Sequence, residues 1–260
     1  MITLTTGQLE AWLAQVLWPF VRIGACFMVA PAFGAVFVPA RIRIVLAGAV
    51  TLAVTPLLPA PAAIAPFSAA GLVVTVQQLL IGVALGFSLQ LLFDAVTLGG
   101  QLLANSMGLS FAFNIDPLRG SEVPALGQFY TILVMLTFMA LNGHLVLIEV
   151  LVNGFRTLPI GTSGLGQEGL WTVAQWGSQL FVGALAIALP GVTALLIVNA
   201  AFGVMSRAAP QLNLFAVGFP ISLVFGLVIV LAGLPAVQTT FTHLLGDGFE
   251  LLRKLMVAGG

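Results

Sequence analysis

The feature that most constrains this sequence is a run without a single charged side chain, between residues 44 and 93. Soluble proteins need charged residues at intervals to cover the surface that faces water. The same trend extends over the whole chain of 260 residues, of which 60% are hydrophobic and only 6% are charged. An ordinary soluble domain has roughly 25% charged residues. The sequence therefore predicts a protein that is embedded largely in lipid or in other protein.

The few charged residues are balanced, with eight Lys and Arg against eight Asp and Glu. Because there is no basic field to attract phosphates, we predict no nucleic-acid partner. Cys26 is the single cysteine, which excludes an intramolecular disulfide and any multi-cysteine metal site. We therefore predict no metal and no cofactor.

The first apolar segment lacks the basic start of a cleavable signal peptide and is expected to stay in the mature protein.

Helical membrane crossings are the predicted architecture. Spanning a hydrocarbon core of about 30 Å takes about 20 apolar residues as a helix. Six regions qualify, so the predicted fold class is all-α, with membrane-associated helical hairpins and long kinked helices. Two regions are too long for one upright crossing. The third either bends at Gly99-Gly100 or partly leaves the membrane, and the fifth is expected to kink at Pro190-Gly191. The six regions are 12–33, 42–58, 72–107, 126–151, 171–206 and 214–234.

The end of the chain has a different pattern. Apolar residues between 237 and 256 fall on one helical face, with Glu250, Arg253 and Lys254 away from it. This predicts an amphipathic C-terminal helix over residues 236–260 that lies on a partner or a headgroup layer. Lys and Arg in the loops do not define an orientation in the membrane. We therefore expect the chain to bury much of its surface against other subunits.

Four titratable residues lie inside apolar segments, where each charge costs roughly 2.5–3.5 kcal/mol at a helix centre. They would form a proton or ion relay in a stand-alone transporter of ions or small molecules. Alternatively, they pair within the subunit, meet neighbours across an interface, or sit at helix ends. Their scatter over separate segments, without a repeated carboxylate spacing, favours pairing. These residues are Arg22, Asp94, His144 and Glu149.

A second alternative is an intramembrane serine protease, because Gly161-Thr162-Ser163-Gly164 could supply a nucleophile to His144. A nucleophile must be held rigidly beside its base. The tetrad instead lies in a glycine-rich stretch, 161–169, that separates the two halves of the chain. We therefore predict that the protein is not an enzyme.

The most informative stretch is the loop over residues 107–124. It is too rich in Gly, Pro, Ser and Asn to be helical throughout, yet apolar residues alternate along its first half. Irregular backbone at membrane depth persists only where it is enclosed in protein or lines a cavity. The loop either enters a lumen or packs as a turn at the membrane surface. The alternating residues are Met107, Leu109, Phe111, Phe113 and Ile115.

From this loop outward, a set of ordered motifs extends over nearly the whole chain. The motifs are Arg22, Ala30–Gly34, Val38-Pro39 with Arg41 and Arg43, Phe113–Pro117 with Gly120, Leu126–Phe129, Leu141–His144, Phe155-Arg156, Leu158–Gly161, Arg207 with Pro210, Gln211 and Asn213, and Gly218–Pro220. In this combination they resemble the FliR family of flagellar biosynthetic proteins, part of the type III secretion export gate. Asp116-Pro117 with Gly143-His144 favours the flagellar member over the virulence-related one.

The resemblance implies a subunit of a helical export-gate assembly. In that family the assembly contains FliP and FliQ, is wrapped at its cytoplasmic entrance by FlhB, and passes unfolded flagellar proteins. The implied location is the bacterial inner membrane, within the flagellar basal body. Residues 1–165 would resemble FliP, residues 166–235 would form a FliQ-like hairpin, and residues 236–260 would be the amphipathic helix.

Two groups of site residues follow from the resemblance. The family's plug loop maps onto residues 107–124, where it would close the pore. The tip of the FliQ-like hairpin would face the cytoplasm near the gate entrance. The plug residues are Met107, Leu109, Phe111, Phe113, Ile115, Asp116, Pro117 and Gly120, and the tip residues are Arg207, Pro210, Gln211 and Asn213.

Overall fold

The structure is a computed structural model that describes residues 6–34, 38–59, 64–109, 125–208 and 214–258. Within these ranges every regular element is helical, which confirms the all-α fold class. A 3₁₀ turn, Thr55–Leu57, follows the second helix. The helices are α1 (Thr6–Val29), α2 (Ala40–Val54), α3 (Ala69–Ser106), α4 (Ala125–Ala140), α5 (Gly143–Thr157), α6 (Gly166–Trp176), α7 (Ser178–Ala208) and α8 (Leu214–Ala258).

The described helices confirm the predicted membrane association. Five stretches are long and apolar enough to cross a membrane, or up to six if the bent α4–α5 pair is one span. The five are Glu10–Val29, Ala40–Leu57, Ala69–Ser106, Gly166–Met205 and Gly218–Val257.

Helix α3 is 38 residues long, about 57 Å, which exceeds a hydrocarbon core of about 30 Å. The helix continues through Gly99 and Gly100, where the sequence predicted a bend as one of two possibilities. Both glycines serve close packing instead. A Cβ built at Gly100 would lie 2.9 Å from the Cα of Gly127, and one at Gly99 would lie 3.1 Å from the carbonyl oxygen of Ala184.

The prediction of one continuous helical segment over residues 126–151 was wrong. It is divided into α4 and α5, which meet at a bend of 62°. Asn142 stands at the break with a φ of +56°, a left-handed conformation that Asn adopts more readily than most residues. Gly143 follows it because a Cβ there would lie 3.0 Å from Cζ of Phe138. The local backbone therefore explains two residues of the Leu141–His144 motif.

The fifth and sixth regions also differ from expectation. The helical break falls at Gly177, between α6 and α7, and α7 continues through Pro190. Helix α8 continues through Pro220 and Pro235 to Ala258, so the predicted C-terminal helix is its continuation and not a separate element. Proline is tolerated inside apolar helices when neighbouring groups satisfy the freed carbonyl. The sequence placed a boundary at Pro235, which α8 accommodates, and a kink at Pro190, which lies inside α7.

The chain forms two compact units. The first unit comprises Met1–Leu91, Phe138–Gly177 and Gly246–Gly260, and the second comprises Leu92–Thr137 and Ser178–Leu245. Each unit gathers stretches that are distant in sequence. The predicted division into residues 1–165, 166–235 and 236–260 follows chain order, and the likeness of these parts to FliP and FliQ stays a prediction.

In the first unit, α1 packs closely against α3. A Cβ at Gly86 would lie 2.7 Å from the carbonyl oxygen of Cys26, and one at Gly82 would lie 2.8 Å from the Cβ of Ala25. Small residues at this spacing let two helix backbones approach each other. The fully buried Trp18 adds a hydrogen bond from Nε1 to Thr75 Oγ1, at 3.2 Å. This contact fixes the side of α1 that carries Arg22.

The second unit is held by contacts between α3, α4, α7 and α8. The hydroxyls of Thr97 and Thr131 are 2.6 Å apart. Phe93 and Phe241 meet edge to face with ring centroids 5.2 Å apart. Gly191 faces α3 so closely that a Cβ there would lie 2.7 Å from Cδ1 of Leu103. The end of α3 is therefore enclosed by helices before the loop begins.

Candidate functional site

The charge most deeply buried in the described part of the chain is Arg22 on α1, which is fully enclosed. Its Nε donates a hydrogen bond to Gln78 Oε1 at 2.7 Å, and its Nη2 donates to the carbonyl oxygen of Leu158 at 3.0 Å. The guanidinium carbon also lies 4.2 Å from the ring centroid of Phe155. One cation thus joins α1, α3 and the end of α5.

The carbonyl of Leu158 is available because Leu158 is the C-cap of α5. The last carbonyls of a helix have no intrahelical partner, and the helix dipole gives this end partial negative charge. The ring of Phe155, one turn earlier, presents its negatively polarised face to the same cation. Helix α5 therefore supplies two attractive contacts to Arg22 without an acidic side chain.

Two donors in this cluster have no hydrogen-bond partner in the structure, namely Arg22 Nη1 and Gln78 Nε2. The recorded partners of the guanidinium are an amide, a carbonyl and an aromatic ring, all of them neutral. An arginine does not release its proton in proteins. The arrangement therefore suits a structural clamp between three helices better than a step in a proton relay.

The sequence singled out Arg22 as a charge in an apolar segment, and Phe155 and Leu158 only as parts of the family motifs, while Gln78 was not named. One signal was present, because Gln77 and Gln78 are adjacent amides in an otherwise apolar run. Buried amides need partners, so such a pair indicates a polar contact on at least one face of its helix. Nothing in the sequence indicates that the backbone carbonyl of Leu158 binds Arg22, since every residue type has a backbone carbonyl.

The other three intramembrane charges do not form one cluster with Arg22. Asp94 is half-buried on α3 and belongs to the second unit, whereas His144 and Glu149 lie on α5 in the first. Glu149 is exposed, and the half-buried His144 has no hydrogen-bond partner at Nδ1. Among the described residues, no three His, Cys, Asp or Glu side chains are grouped as a metal site would require.

The protease alternative finds no support in the described residues. Ser163 is exposed and lies in an irregular stretch between α5 and α6. His144, its required base, makes no hydrogen bond through Nδ1. A serine nucleophile needs a base within hydrogen-bond reach and a third group that orients the base.

The start of the predicted plug loop is packed tightly. Met107 follows the end of α3 and is almost fully buried, and a Cβ built at Gly226 on α8 would lie 2.6 Å from its Cε. Gly108 then has a φ of +81°, a left-handed conformation that ends the helix at no steric cost. Leu109 is half-buried. Phe111, Phe113, Ile115, Asp116, Pro117 and Gly120 lie outside the described residues.

The two ends of this loop come from neighbouring helices. Helix α3 precedes the loop and α4 follows it, and the two helices touch at Gly100 and Gly127 and at Thr97 and Thr131. Residues 110–124 therefore connect a packed helix pair within the second unit.

The predicted hairpin tip lies between α7 and α8. Arg207 is exposed in the last turn of α7, where a cation is favoured by the helix dipole. Pro210, Gln211 and Asn213 lie outside the described residues.

Together, the long apolar helices, the clamped intramembrane arginine and the loop between α3 and α4 define an α-helical integral membrane protein. The sequence profile of the bacterial export proteins, family 1, matches residues 13–248. The flagellar biosynthetic protein FliR of Escherichia coli (strain K12) is 39% identical over 98% of both chains. FliR of Pectobacterium carotovorum is 38% identical over 98% of both, and FliR of Bacillus subtilis is 26% identical over 93% of this chain and 94% of its own.

The chain belongs to the FliR family of bacterial export proteins. The resemblance drawn from the motifs is thereby confirmed. The protein has a role in flagellar protein export, and its apolar helices make it a membrane-embedded flagellar component. The names of these relatives describe flagellar biosynthesis.

Proposed function

We propose that the chain is one subunit of the flagellar export gate, and that it forms with FliP and FliQ a pore for unfolded flagellar proteins. Residues 107–124 act as a plug that closes this pore at rest. FlhB binds at the cytoplasmic entrance, and the assembly lies in the bacterial inner membrane within the flagellar basal body. The protein has no catalytic step of its own in this proposal.

The observation that supports the plug assignment is the close contact between the Met107 side chain and Gly226. A stopper must be held at its base and be displaceable at its tip. The tight contact with α8 supplies the fixed base, and Gly108 directly after it releases the chain from helical geometry. The apolar side chains beyond, Phe111 and Phe113, would exclude water and ions from the lumen by dewetting.

Assembly with other subunits is supported by the uneven burial of the long helices. The apolar 18-residue stretch within α3 is 67% buried, whereas the corresponding stretches within Gly166–Met205 and Gly218–Val257 are only 28% and 22% buried. Large apolar side chains repeat along one side of α7, including Phe181, Leu185 and Leu189. Such surfaces must be covered by lipid or by other helices, and sister helices of FliP and FliQ would cover them.

Conductance tests the plug directly. Deleting residues 110–122 from the assembled complex in a planar bilayer is expected to raise the resting ion current. Phe111→Ser with Phe113→Ser should raise it too, because polar side chains wet the constriction. Ser110→Ala is the matched control, since it changes the same loop without removing an apolar group. A resting current that stays unchanged in the deletion would overturn the plug assignment.

Cysteine labelling tests the predicted cytoplasmic tip. The native Cys26 is fully buried, so it contributes little background to a thiol reagent. Arg207→Cys is expected to react with a membrane-impermeant maleimide added from the cytoplasmic side. Reaction from the periplasmic side alone would contradict the proposed orientation.

Copurification separates a gate subunit from a stand-alone transporter. The full chain is expected to be stable after mild detergent extraction only when FliP and FliQ are coexpressed. A stable monomer or homodimer whose transport activity depends on Asp94 or Glu149 would favour the transporter instead.

A further inference from the structure

Three helices of the second unit meet at one polar side chain where α3 ends. The hydroxyl of Ser222 on α8 donates a hydrogen bond to Oδ1 of Asn199 on α7, at 2.9 Å. The Nδ2 of Asn199 donates to the backbone carbonyl oxygen of Ser106, at 3.5 Å. Ser106 is the last residue of α3, and Met107 follows it. The Asn199 side chain therefore binds the backbone directly before the first residue of the proposed plug.

The carbonyl of Ser106 belongs to a helix end. The last carbonyls of an α-helix have no intrahelical N–H partner. The N–H of Gly108 donates to the carbonyl oxygen of Asn105, at 3.0 Å, and serves one of them. The Ser106 carbonyl accepts from the side chain of another helix, and an amide N–H is a suitable donor for it. Asn199 thus completes the C-terminal end of α3.

Asn199 continues the face of α7 that packs on α3. A Cβ built at Gly191 would lie 2.7 Å from Cδ1 of Leu103, and Leu195 is fully buried. Residues four apart lie on the same side of a helix, so Gly191, Leu195 and Asn199 form one row. The amide is the last member of this row, level with the end of α3.

Ser222 lies on the face of α8 that contacts Met107. Gly226, four residues later, is the position where a built Cβ would lie 2.6 Å from Cε of Met107. Ser222 is only 7% exposed, and a buried hydroxyl needs a partner, which Asn199 Oδ1 provides. Because only the Nδ2 side of the amide can donate to the Ser106 carbonyl, Oδ1 faces Ser222. The two contacts together fix the orientation of the amide.

We propose that Asn199, oriented by Ser222, is a positioning residue that holds the end of α3 and thereby fixes the base of the plug. The packing of Met107 on Gly226 restrains the same point through side chains, whereas Asn199 restrains it through the backbone. Asn199 is exposed, so this bond breaks without leaving an unpaired amide in an apolar core. The effect on the pore rests on the proposed function, but the hold on α3 rests on the described contacts alone.

Hydrogen exchange in the purified export complex tests the hold on α3 without reference to the pore. Asn199→Leu removes the donor and keeps a side chain of similar size. The amide hydrogens of Met107 and Gly108 are expected to exchange about fivefold faster, as the loss of one ordinary hydrogen bond predicts. Thr193→Leu is the matched control, because it also replaces an exposed polar residue of α7 and should leave this exchange unchanged.

The role of Ser222 is tested by combining two substitutions. Ser222→Ala removes the group that orients the amide, so it should raise exchange at Met107 and Gly108 in the same direction. The double variant with Asn199→Leu should exchange no faster than Asn199→Leu alone, since both changes break one connected contact. Fully additive effects of the two substitutions would contradict the proposed orientation by Ser222.

Resting ion current tests the consequence for the pore. Asn199→Leu in the assembled complex is expected to raise the current above that of Thr193→Leu, but less than deletion of residues 110–122 does. A melting temperature close to that of the native complex would show that the current does not rise through general unfolding.

Two results would overturn the proposal. The first is equal exchange of Met107 and Gly108 in Asn199→Leu and Thr193→Leu, which would show that the amide does not hold α3. The second is an unchanged current in Asn199→Leu while the deletion raises it, which would leave the plug in place without this residue. A deletion without effect on the current would instead refute the plug, and faster exchange in Asn199→Leu would still support the hold on α3.

Discussion

Arg22 on α1 donates a hydrogen bond to the carbonyl oxygen of Leu158, a residue that follows it by 136 positions. The same guanidinium is bonded to Gln78 and lies over Phe155. A charge that looked isolated in an apolar segment is thus a contact point for three helices. Its role in the described structure is to hold α1, α3 and α5 together.

The first prediction concerns the amide partner of this arginine. Gln78→Leu removes the acceptor of Arg22 Nε and puts an apolar side chain of similar size in its place. A hydrogen bond to a charged group contributes roughly 1.5–3 kcal/mol, so the complex should unfold at a clearly lower temperature. Differential scanning fluorimetry of the purified complex measures this.

Gln167→Leu is the control for that change. Gln167 is exposed on α6, and its replacement is expected to leave the melting temperature nearly unchanged. An equal melting temperature in Gln78→Leu and the native protein would show that the amide does not stabilise the buried charge.

The second prediction concerns the close packing of α1 on α3. In Gly86→Ala the new Cβ would lie 2.7 Å from the carbonyl oxygen of Cys26, and a backbone atom cannot move aside cheaply. We expect a loss of about 1–3 kcal/mol in stability. Gly233→Ala on α8 meets nothing within 4 Å and should be neutral or slightly stabilising. Thermal unfolding of the two variants side by side decides the matter, and a smaller loss at Gly86 than at Gly233 would contradict the packing described here.

The third prediction tests whether the contact between Met107 and Gly226 helps the proposed plug to close the pore. In Gly226→Ala the new methyl group would overlap the Met107 side chain from its Cγ to its Cε, and that side chain is almost fully buried and must move. Stability should fall by about 1–3 kcal/mol, and the resting ion current should rise because the base of the loop has moved. Gly233→Ala, on the same helix, should leave the current as it is. If the two variants give the same resting current, the contact between Met107 and Gly226 does not contribute to pore closure.

The fourth prediction concerns the bend between α4 and α5. Asn142 has a left-handed backbone, which costs roughly 1–2 kcal/mol for most L-residues. Asn142→Val should therefore destabilise the protein by an amount of this order, whereas Asn142→Gly should be tolerated. Melting temperatures measure the difference. A valine variant as stable as the glycine variant would mean that the bend does not depend on this residue.

The sequence predicted the existence and type of the helices better than their ends. The uncharged run and the apolar segments were sufficient to predict an all-α membrane protein. The predicted helix ends were wrong at Asn142, where a turn depends on one backbone angle, and at Pro235, where α8 continues. Apolar composition predicts which segments can cross a membrane. Where a helix ends depends on contacts between helices, such as that of Phe138 with Gly143.

The candidate site was predictable only in part. Arg22 was identified because a charge in an apolar segment requires partners. The partners themselves come from residues 56 and 136 positions away, one of them a backbone carbonyl. The adjacent Gln77 and Gln78 indicate that a polar partner exists, but no local pattern indicates which residue it is. The contact between Met107 and Gly226 was equally unpredictable from the sequence, since Gly226 is one of 29 glycines in the chain.

The Arg22–Leu158 bond also imposes an order on biosynthesis. When α1 leaves the ribosome, neither Gln78 nor Leu158 has been translated, so the guanidinium must first be accommodated by water or by the insertion machinery. Its bonds to Gln78 and Leu158 can form only after α5 has emerged and turned back. Helix α1 is therefore synthesised well before the residues that complete its buried contacts.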